Sequence, residues 1–166
     1  MNTVLLQELA RYNALLATIR NSLKQLIQAM GGFIVMSSEL ESMAENMTKN
    51  IIPQVWAKRS YPSLKPLSGY FKDLLQRLKV LQDWIDKGQP VIFWLSGFSF
   101  PQSFLTGVLQ NYARAKTIPI DQLRFDFEVL KEGETVDKAP ETGCYISGLF
   151  LEGKLLKENL DINVCF

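Results

Sequence analysis

Between residues 5 and 30 the apolar side chains keep a single register. Leu5, Leu9, Tyr12, Leu16, Ile19, Leu23, Leu26 and Met30 are separated alternately by four and three positions. That spacing holds one apolar stripe on one side of a helix through about seven turns. A strand cannot use it, because strand side chains alternate between faces with period two. Gln7, Glu8, Arg11, Asn13, Arg20, Lys24 and Gln28 fill the positions between. Gly31-Gly32 ends the helix by permitting left-handed backbone. The stripe suits a coiled-coil partner or a bundle within the chain's own domain. Widening by Leu6, Leu15 and Ile27, with no later heptads, favours the bundle.

Further helices follow. Ser38 and Glu41 suit a capping box for a helix from Leu40 to about Met47. Pro53 ends it. The stretch from Trp56 to Pro66 holds Pro62 and Pro66, which forbid regular helix and push Tyr61 and Lys65 into extended backbone. It reads as an ordered connector anchored by Trp56 and Tyr61. Lys49, Lys58, Arg59 and Lys65 lie near those aromatics, and a solvated connector explains them better than a nucleic-acid patch. Leu67, Phe71, Leu74, Leu78, Leu81 and Ile85 predict a helix to about Asp86, broadened by Tyr70, Leu75 and Trp84. Asp73 with Arg77, and Asp83 with Lys87, are i,i+4 pairs assigned to its outer face. Gly88 caps the end. The run Phe93-Trp94-Leu95-Ser96-Gly97-Phe98-Ser99-Phe100-Pro101 is too short for a membrane span and reads as a buried crossing point between layers, with Trp94 as its most sensitive residue. Pro101 opens another helix to about Ala115, with Gly107 marking a close contact inside it.

The period then changes. Leu123, Phe125, Phe127 and Val129 alternate with Arg124, Asp126 and Glu128, predicting a strand with one wet face. Residues 131–140 form a charged turn, and 144–151 predict a second, central strand. Asn163-Val164-Cys165-Phe166 offers no convincing closing element. The fold class is α+β: an N-terminal helical bundle of about four helices, then an incomplete antiparallel β-barrel or small sheet. The helical part is placed at 1–117 and the sheet part at 118–166.

Chemistry is sparse. Histidine is absent, which removes Ser-His-Asp and Cys-His sites and the usual neutral-pH proton shuttle. Cys144 and Cys165 make neither a zinc cluster nor a disulfide framework, and two reduced thiols fit better than a bridge. Asn46-Met47-Thr48 is a sequon, but no secretory leader is seen to bring it to the glycosylation machinery. Gly148 to Lys154 has the spacing of a phosphate loop. It lacks the hydroxyl residue for magnesium, because Leu155 follows, and its Leu-Phe-Leu centre reads as strand. Asp126 and Glu128 belong to the wet strand face. The net charge of +1 supplies no field for nucleic acid or an anionic membrane. No catalytic, cofactor-binding or metal residue is assigned, no cofactor is expected, and neither nucleic acid nor membrane is expected as a partner.

The wording of several blocks carries more. Val35-Met36-Ser37-Ser38-Glu39-Leu40-Glu41, Ser60-Tyr61-Pro62-Ser63-Leu64-Lys65-Pro66-Leu67 and Phe93-Trp94-Leu95-Ser96-Gly97-Phe98 resemble the C-terminal region of dynein heavy chains. So do Gln110-Asn111-Tyr112-Ala113-Arg114, Ile118-Pro119-Ile120-Asp121 and Gly148-Leu149-Phe150-Leu151-Glu152-Gly153. The blocks stand in the family's order, and their flavour is axonemal, of the single-headed inner-arm type. The resemblance implies a non-catalytic segment that follows the sixth AAA module, lies against the motor ring with its helices, ends in a small β-barrel and modulates motor output. Its implied partners are the rest of the heavy chain's ring and other dynein subunits, with an indirect link to microtubules. The implied setting is cytoplasm, cytoskeleton and ciliary axoneme. Packing anchors such as Trp56, Tyr61, Trp94 and Phe98 would be its functional residues. After Gly153 the family supplies a small residue, an aromatic and an acid, where this chain has Lys154-Leu155-Leu156-Lys157. The alternative is a stand-alone scaffold binding a partner helix through the stripe of residues 5–30. A small nucleotide-dependent enzyme resting on residues 148–154 is a third class.

Overall fold

A computed structural model describes residues 2–130, 136–148 and 162–165. The elements are α1 (Asn2–Met30), α2 (Ser38–Thr48), α3 (Gln54–Ala57), α4 (Leu67–Lys87), β1 (Ile92–Trp94), α5 (Pro101–Lys116), β2 (Asp126–Val129), β3 (Cys144–Ser147) and β4 (Ile162–Cys165), with short 3-10 turns at Leu95–Gly97 and Ile120–Gln122. The chain forms two compact units, a helical one of Gln7–Lys79 and a sheet unit of Met1–Leu6 with Val80–Phe166. Helices α1 and α4 each contribute residues to both.

The long helix is present, and Tyr12, Ile19 and Leu26 of the predicted stripe lie in its buried seam, whose other members stand one position before the predicted ones. The enclosed residues of α1 are Val4, Glu8, Tyr12, Leu15, Ile19, Ser22, Leu26 and Ala29. Leu5, Leu9, Leu16 and Leu23 are half-buried flanks, and Met30 is exposed. The seam tolerates Ser22 because that hydroxyl donates to the Ile19 carbonyl at 3.0 Å and accepts from Trp56. Gly32, at φ +75°, turns the chain out of the helix, and the Phe33 N–H closes the last turn on the Gln28 carbonyl at 2.9 Å.

Helix α2 is capped one residue earlier than the sequence suggested. Ser37, not Ser38, sits at the N-cap, and its Oγ accepts the Leu40 N–H at 3.3 Å. Glu39 and Glu41 in the first turn favour the positive end of the helix dipole. After α2, Asn50 adopts φ 59°, a left-handed conformation that asparagine tolerates. Its carbonyl accepts the Leu67 N–H at 2.8 Å and its Oδ1 accepts the Ser68 N–H at 3.0 Å, so it satisfies the start of α4.

The sheet unit is built around aromatics. Phe104 lies 4.8 Å from both Phe93 and Phe98 by ring centroids, and Trp84 meets Phe93 edge-on at 5.3 Å. Val4, Leu95, Val108, Cys144 and Ile146 complete the core, with Phe125 and Phe127 packed against it. The aromatic run is therefore partly a strand, a feature the sequence did not reveal. β1 pairs parallel with β3, placing Phe93 opposite Ile146. Trp94 is half-buried, with its indole occupying the space beside Gly97 and Gly148. Phe93 and Phe104 are the more enclosed residues.

The sheet order is β1-β3-β4-β2, with β3, β4 and β2 antiparallel in turn. β3 is central, as its apolar sequence suggested. Among the described residues β1 and β2 are the edges, so the sheet is not closed. The strand expected from Leu123 begins at Asp126, because Pro119 first leads into a 3-10 turn. Its alternation holds, with Arg124, Asp126 and Glu128 exposed. The last residues, expected to lack a closing element, instead contribute β4. Part of the 131–140 turn and the 149–151 end of the second predicted strand lie outside the described residues.

Two glycines of the helices differ in their surroundings. A Cβ on Gly107 would lie 2.7 Å from Val4 Cγ2, so α5 and the first turn of α1 meet closely there. A Cβ on Gly69 in α4 would sit 3.5 Å from its nearest neighbour, at ordinary contact distance. Gly69→Ala should stabilise the chain by up to about 1 kcal/mol through helix propensity. Gly107→Ala should cost about 1 kcal/mol net, because overpacking exceeds that gain. Denaturant midpoints of the two variants check the opposite signs. A stabilising Gly107→Ala would mean that the Val4 side chain gives way freely.

Candidate functional site

The connector between α3 and α4 is where polar chemistry concentrates in the helical unit. Pro62 holds Tyr61 in extended backbone, and Tyr61 enters the core with its ring stacked on Tyr70 at 5.5 Å and tilted against Tyr12 at 6.3 Å. The Arg77 guanidinium lies 3.8 Å from the Tyr61 ring centre, a cation–π arrangement. Arg77 Nε also donates to Asp73 at 2.6 Å, and Lys65 Nζ reaches the other Asp73 oxygen at 2.6 Å. Asp73 is 7% exposed and Arg77 9%. The pair assigned to the outer face is therefore buried. Arg77 lies in the seam Leu67, Tyr70, Leu74, Arg77, Leu81, Trp84, where each residue is enclosed, and Asp73 flanks that seam beside Leu74. Two more links tie the connector down. Trp56 Nε1 donates to Ser22 Oγ at 2.8 Å, and the Ser60 and Tyr70 hydroxyls meet at 2.8 Å.

The electrostatics follow from this enclosure. Burial works against the Asp73 carboxylate, but the Lys65 and Arg77 hydrogen bonds outweigh it and hold the carboxyl below its usual range. Burial likewise opposes the Arg77 charge, and Tyr12 and Asp73 more than restore it. Burial, then the nearby Asp73 carboxylate, pushes the Tyr61 phenol up. Its hydroxyl has no hydrogen-bond partner of good geometry. A phenol so held stays protonated, and a carboxylate so paired is no base. The cluster fixes shape; it does not move protons.

Two clefts remain. One of about 340 Å³ in the helical unit is lined by Ser22, Ile34, Val35, Leu40 and Met43, among others. One of about 260 Å³ in the sheet unit is lined by Gln89, Phe93, Tyr112, Glu141 and Cys144, among others. Burial pushes the Cys144 thiol up to about 12, so it is not a ready nucleophile. Among the described residues no group of three or more His, Cys, Asp or Glu could hold a metal ion. No helix among them is long and apolar enough to cross a membrane.

Residues 1–160 match the C-terminal domain of the dynein heavy chains. The protein belongs to that family. Dynein axonemal heavy chain 3 of Mus musculus is 58% identical over 153 residues, covering 92% of this chain and 4% of that protein. The Homo sapiens form is 58% identical over the same length and shares. Dynein axonemal heavy chain 1 of Homo sapiens is 54% identical over 154 residues, again 92% of this chain and 4% of that one. The chain thus spans about 4% of the length of these relatives.

In this dynein C-terminal domain, the anchors Trp56, Tyr61 and Phe98 are buried and Trp94 half-buried. Two of the connector's basic residues are paired with acids. Lys49 pairs with Glu45 at 2.6 Å and Lys65 with Asp73. Of the phosphate-loop spacing only Gly148 is described; residues 149–154 lie outside the described residues. Asp126 and Glu128 are exposed. No catalytic site is found among the described residues. Sequence reasoning missed Glu8, Ser22, Asp73 and Arg77 as interior residues. Their signal was positional: Ser22 and Arg77 keep the alternating three-and-four spacing of a buried seam, and Glu8 stands four residues from both Val4 and Tyr12.

Asp73→Asn should lower stability by about 3 kcal/mol at pH 7, because it leaves the buried Arg77 without a counter-charge. The folded carboxyl lies below its unfolded value of about 3.9. Its contribution is therefore present above that pH and lost as the pH falls through the lower folded value. The stability gap between parent and variant should narrow below about pH 4. Denaturant titrations across that range check it, and a constant gap would show that Asp73 is not ionised.

Proposed function

We propose that this chain is a non-catalytic brace of an axonemal dynein motor ring, modulating motor output in ciliary microtubule-based movement. Its partners on this reading are the AAA ring of the heavy chain and other dynein subunits, and its setting is the cytoskeleton of the axoneme. Family membership supports the class. The observation that carries the docking role is an apolar surface at the end of α1. Ile27, Met30, Phe33, Ile34 and Val35 are all exposed within nine residues, with Phe33 at 84% and Val35 at 89%. Single exposed apolar residues are ordinary, whereas a contiguous group marks an interaction surface. Its occupant is the rest of the heavy chain, because related proteins extend far beyond the matched segment.

The stand-alone scaffold reading has less support. Tyr12, Leu15, Ile19 and Leu26, which a partner helix would need, are already buried within the protein.

An axonemal motor fragment lacking its own C-terminal domain should bind the purified chain. Phe33→Asp combined with Val35→Asp should weaken that binding by about tenfold or more, with thermal unfolding unchanged. Calorimetric titration measures the first and a melting curve the second. Undiminished binding by the double variant would remove this surface from the docking role, and no binding by the parent chain would overturn the brace.

A further inference from the structure

Strand β4 lies beyond the residues that the family pattern matches. The dynein domain matches residues 1–160, yet β4, Ile162–Cys165, lies between β3 and β2. Among the described residues it is the sole sheet partner of β2. The register across the three strands is coherent. Cys144, Val164 and Phe127 form one row, and Ile146, Ile162 and Val129 another. Tyr145, Asn163 and Glu128 form the row between them. Cys144 and Ile146 are buried, Phe127 packs against the core, and Glu128 is exposed. The apolar–polar–apolar order of Ile162-Asn163-Val164 thus matches the rows on both sides. A slip of one residue would set Asn163 in an apolar row, so the pattern specifies a single register.

We propose that residues 162–165 are a strand donor in cis. They fill a strand-acceptor slot between β2 and β3 and couple β2 to the rest of the sheet. The slot selects its occupant as strand-addition sites do, by backbone hydrogen bonding on both sides and by an alternation of apolar and polar residues.

The register supplies the test. Asp126 stands opposite Cys165, and Glu128 opposite Asn163. Opposed Cα atoms in an antiparallel pair are about 4.5–5.5 Å apart, within the span of about 4.4–6.8 Å that a disulfide bridges. In the full chain, Asp126→Cys should therefore form an intramolecular disulfide with Cys165 under oxidised glutathione. Glu128→Cys, two positions out of register, should do so at least about tenfold more slowly, since its diagonal separation exceeds that span. Peptide mapping by mass spectrometry identifies the linked pair. A second variant reads the coupling. Val164→Asn should raise amide exchange at 126–129 by about tenfold or more, with exchange in Gln7–Lys79 unchanged as the internal reference. Absent linkage from Asp126→Cys, equal linkage from both variants, linkage only between molecules, or unchanged exchange in β2 would each overturn the assignment.

Discussion

A carboxylate taken into a helix seam must take its cations with it. Asp73 does so, and the helical unit is arranged around that need. Arg77 follows one turn later on the same helix, and Lys65 returns from the connector to the second oxygen. The guanidinium then covers the Tyr61 ring, so the charge pair also holds the aromatic that Pro62 has pre-set in extended backbone. Removing water from such ions costs several kcal/mol per ion, and the pair offsets it only when the geometry is right. The connector thereby acquires one conformation despite its two prolines and short sequence. Trp56 on Ser22 and Ser60 on Tyr70 fasten its other end.

The outline of the fold was legible because it depends on long periodic signals. The seven-turn stripe, the stripe of α4, Pro101 at a helix start and the change to period two near Leu123 each report an average over many residues. The mistakes arose where one residue decides. The α1 seam is rotated because Glu8 and Ser22 occupy interior positions that hydrophobicity alone gives to Leu9 and Leu23. Asp73 and Arg77 look like a surface pair because i,i+4 spacing is the same whether the face is wet or dry. The cap moved from Ser38 to Ser37 because both residues are equally competent, and the first turn's geometry chooses. β1 escaped notice because its three residues lie inside an aromatic run without alternation, and its partner β3 is distant in sequence. β4 escaped because four residues carry too little pattern alone, and only the strands beside it give the pattern meaning.

Of the candidate residues, the burial of Trp56, Tyr61 and Phe98 was legible in the sequence. Histidine is absent from the sequence, and among the described residues the Cys144 thiol is buried, Asp73 is bound to two cations and Glu8 is paired with Arg11. What the protein offers is stiffness beside an apolar surface. The helical unit's polar core is closed, whereas Phe33 and Val35 stand open at the end of α1. On the proposed reading, an exposed apolar end on such a unit is where the brace would dock. Preorganisation lowers the entropy lost on docking, and the Asp73 cluster provides it without contributing a contact itself.

The approach of Val4 to Gly107 has a consequence for the order in which the protein becomes structured. The helical unit needs only partners within Gln7–Lys79. The first turn of α1 belongs instead to a core completed by Phe104, Val108 and Ile146. Ribosomes deliver polypeptides at about 5–20 residues per second, so Val4 must wait for Phe104, Val108 and Ile146, which are made much later. During synthesis Val4 and Leu5 remain without their packing partners for several seconds after the rest of α1 has somewhere to go. The opening turn of α1 is thus the last part of that helix to be fixed.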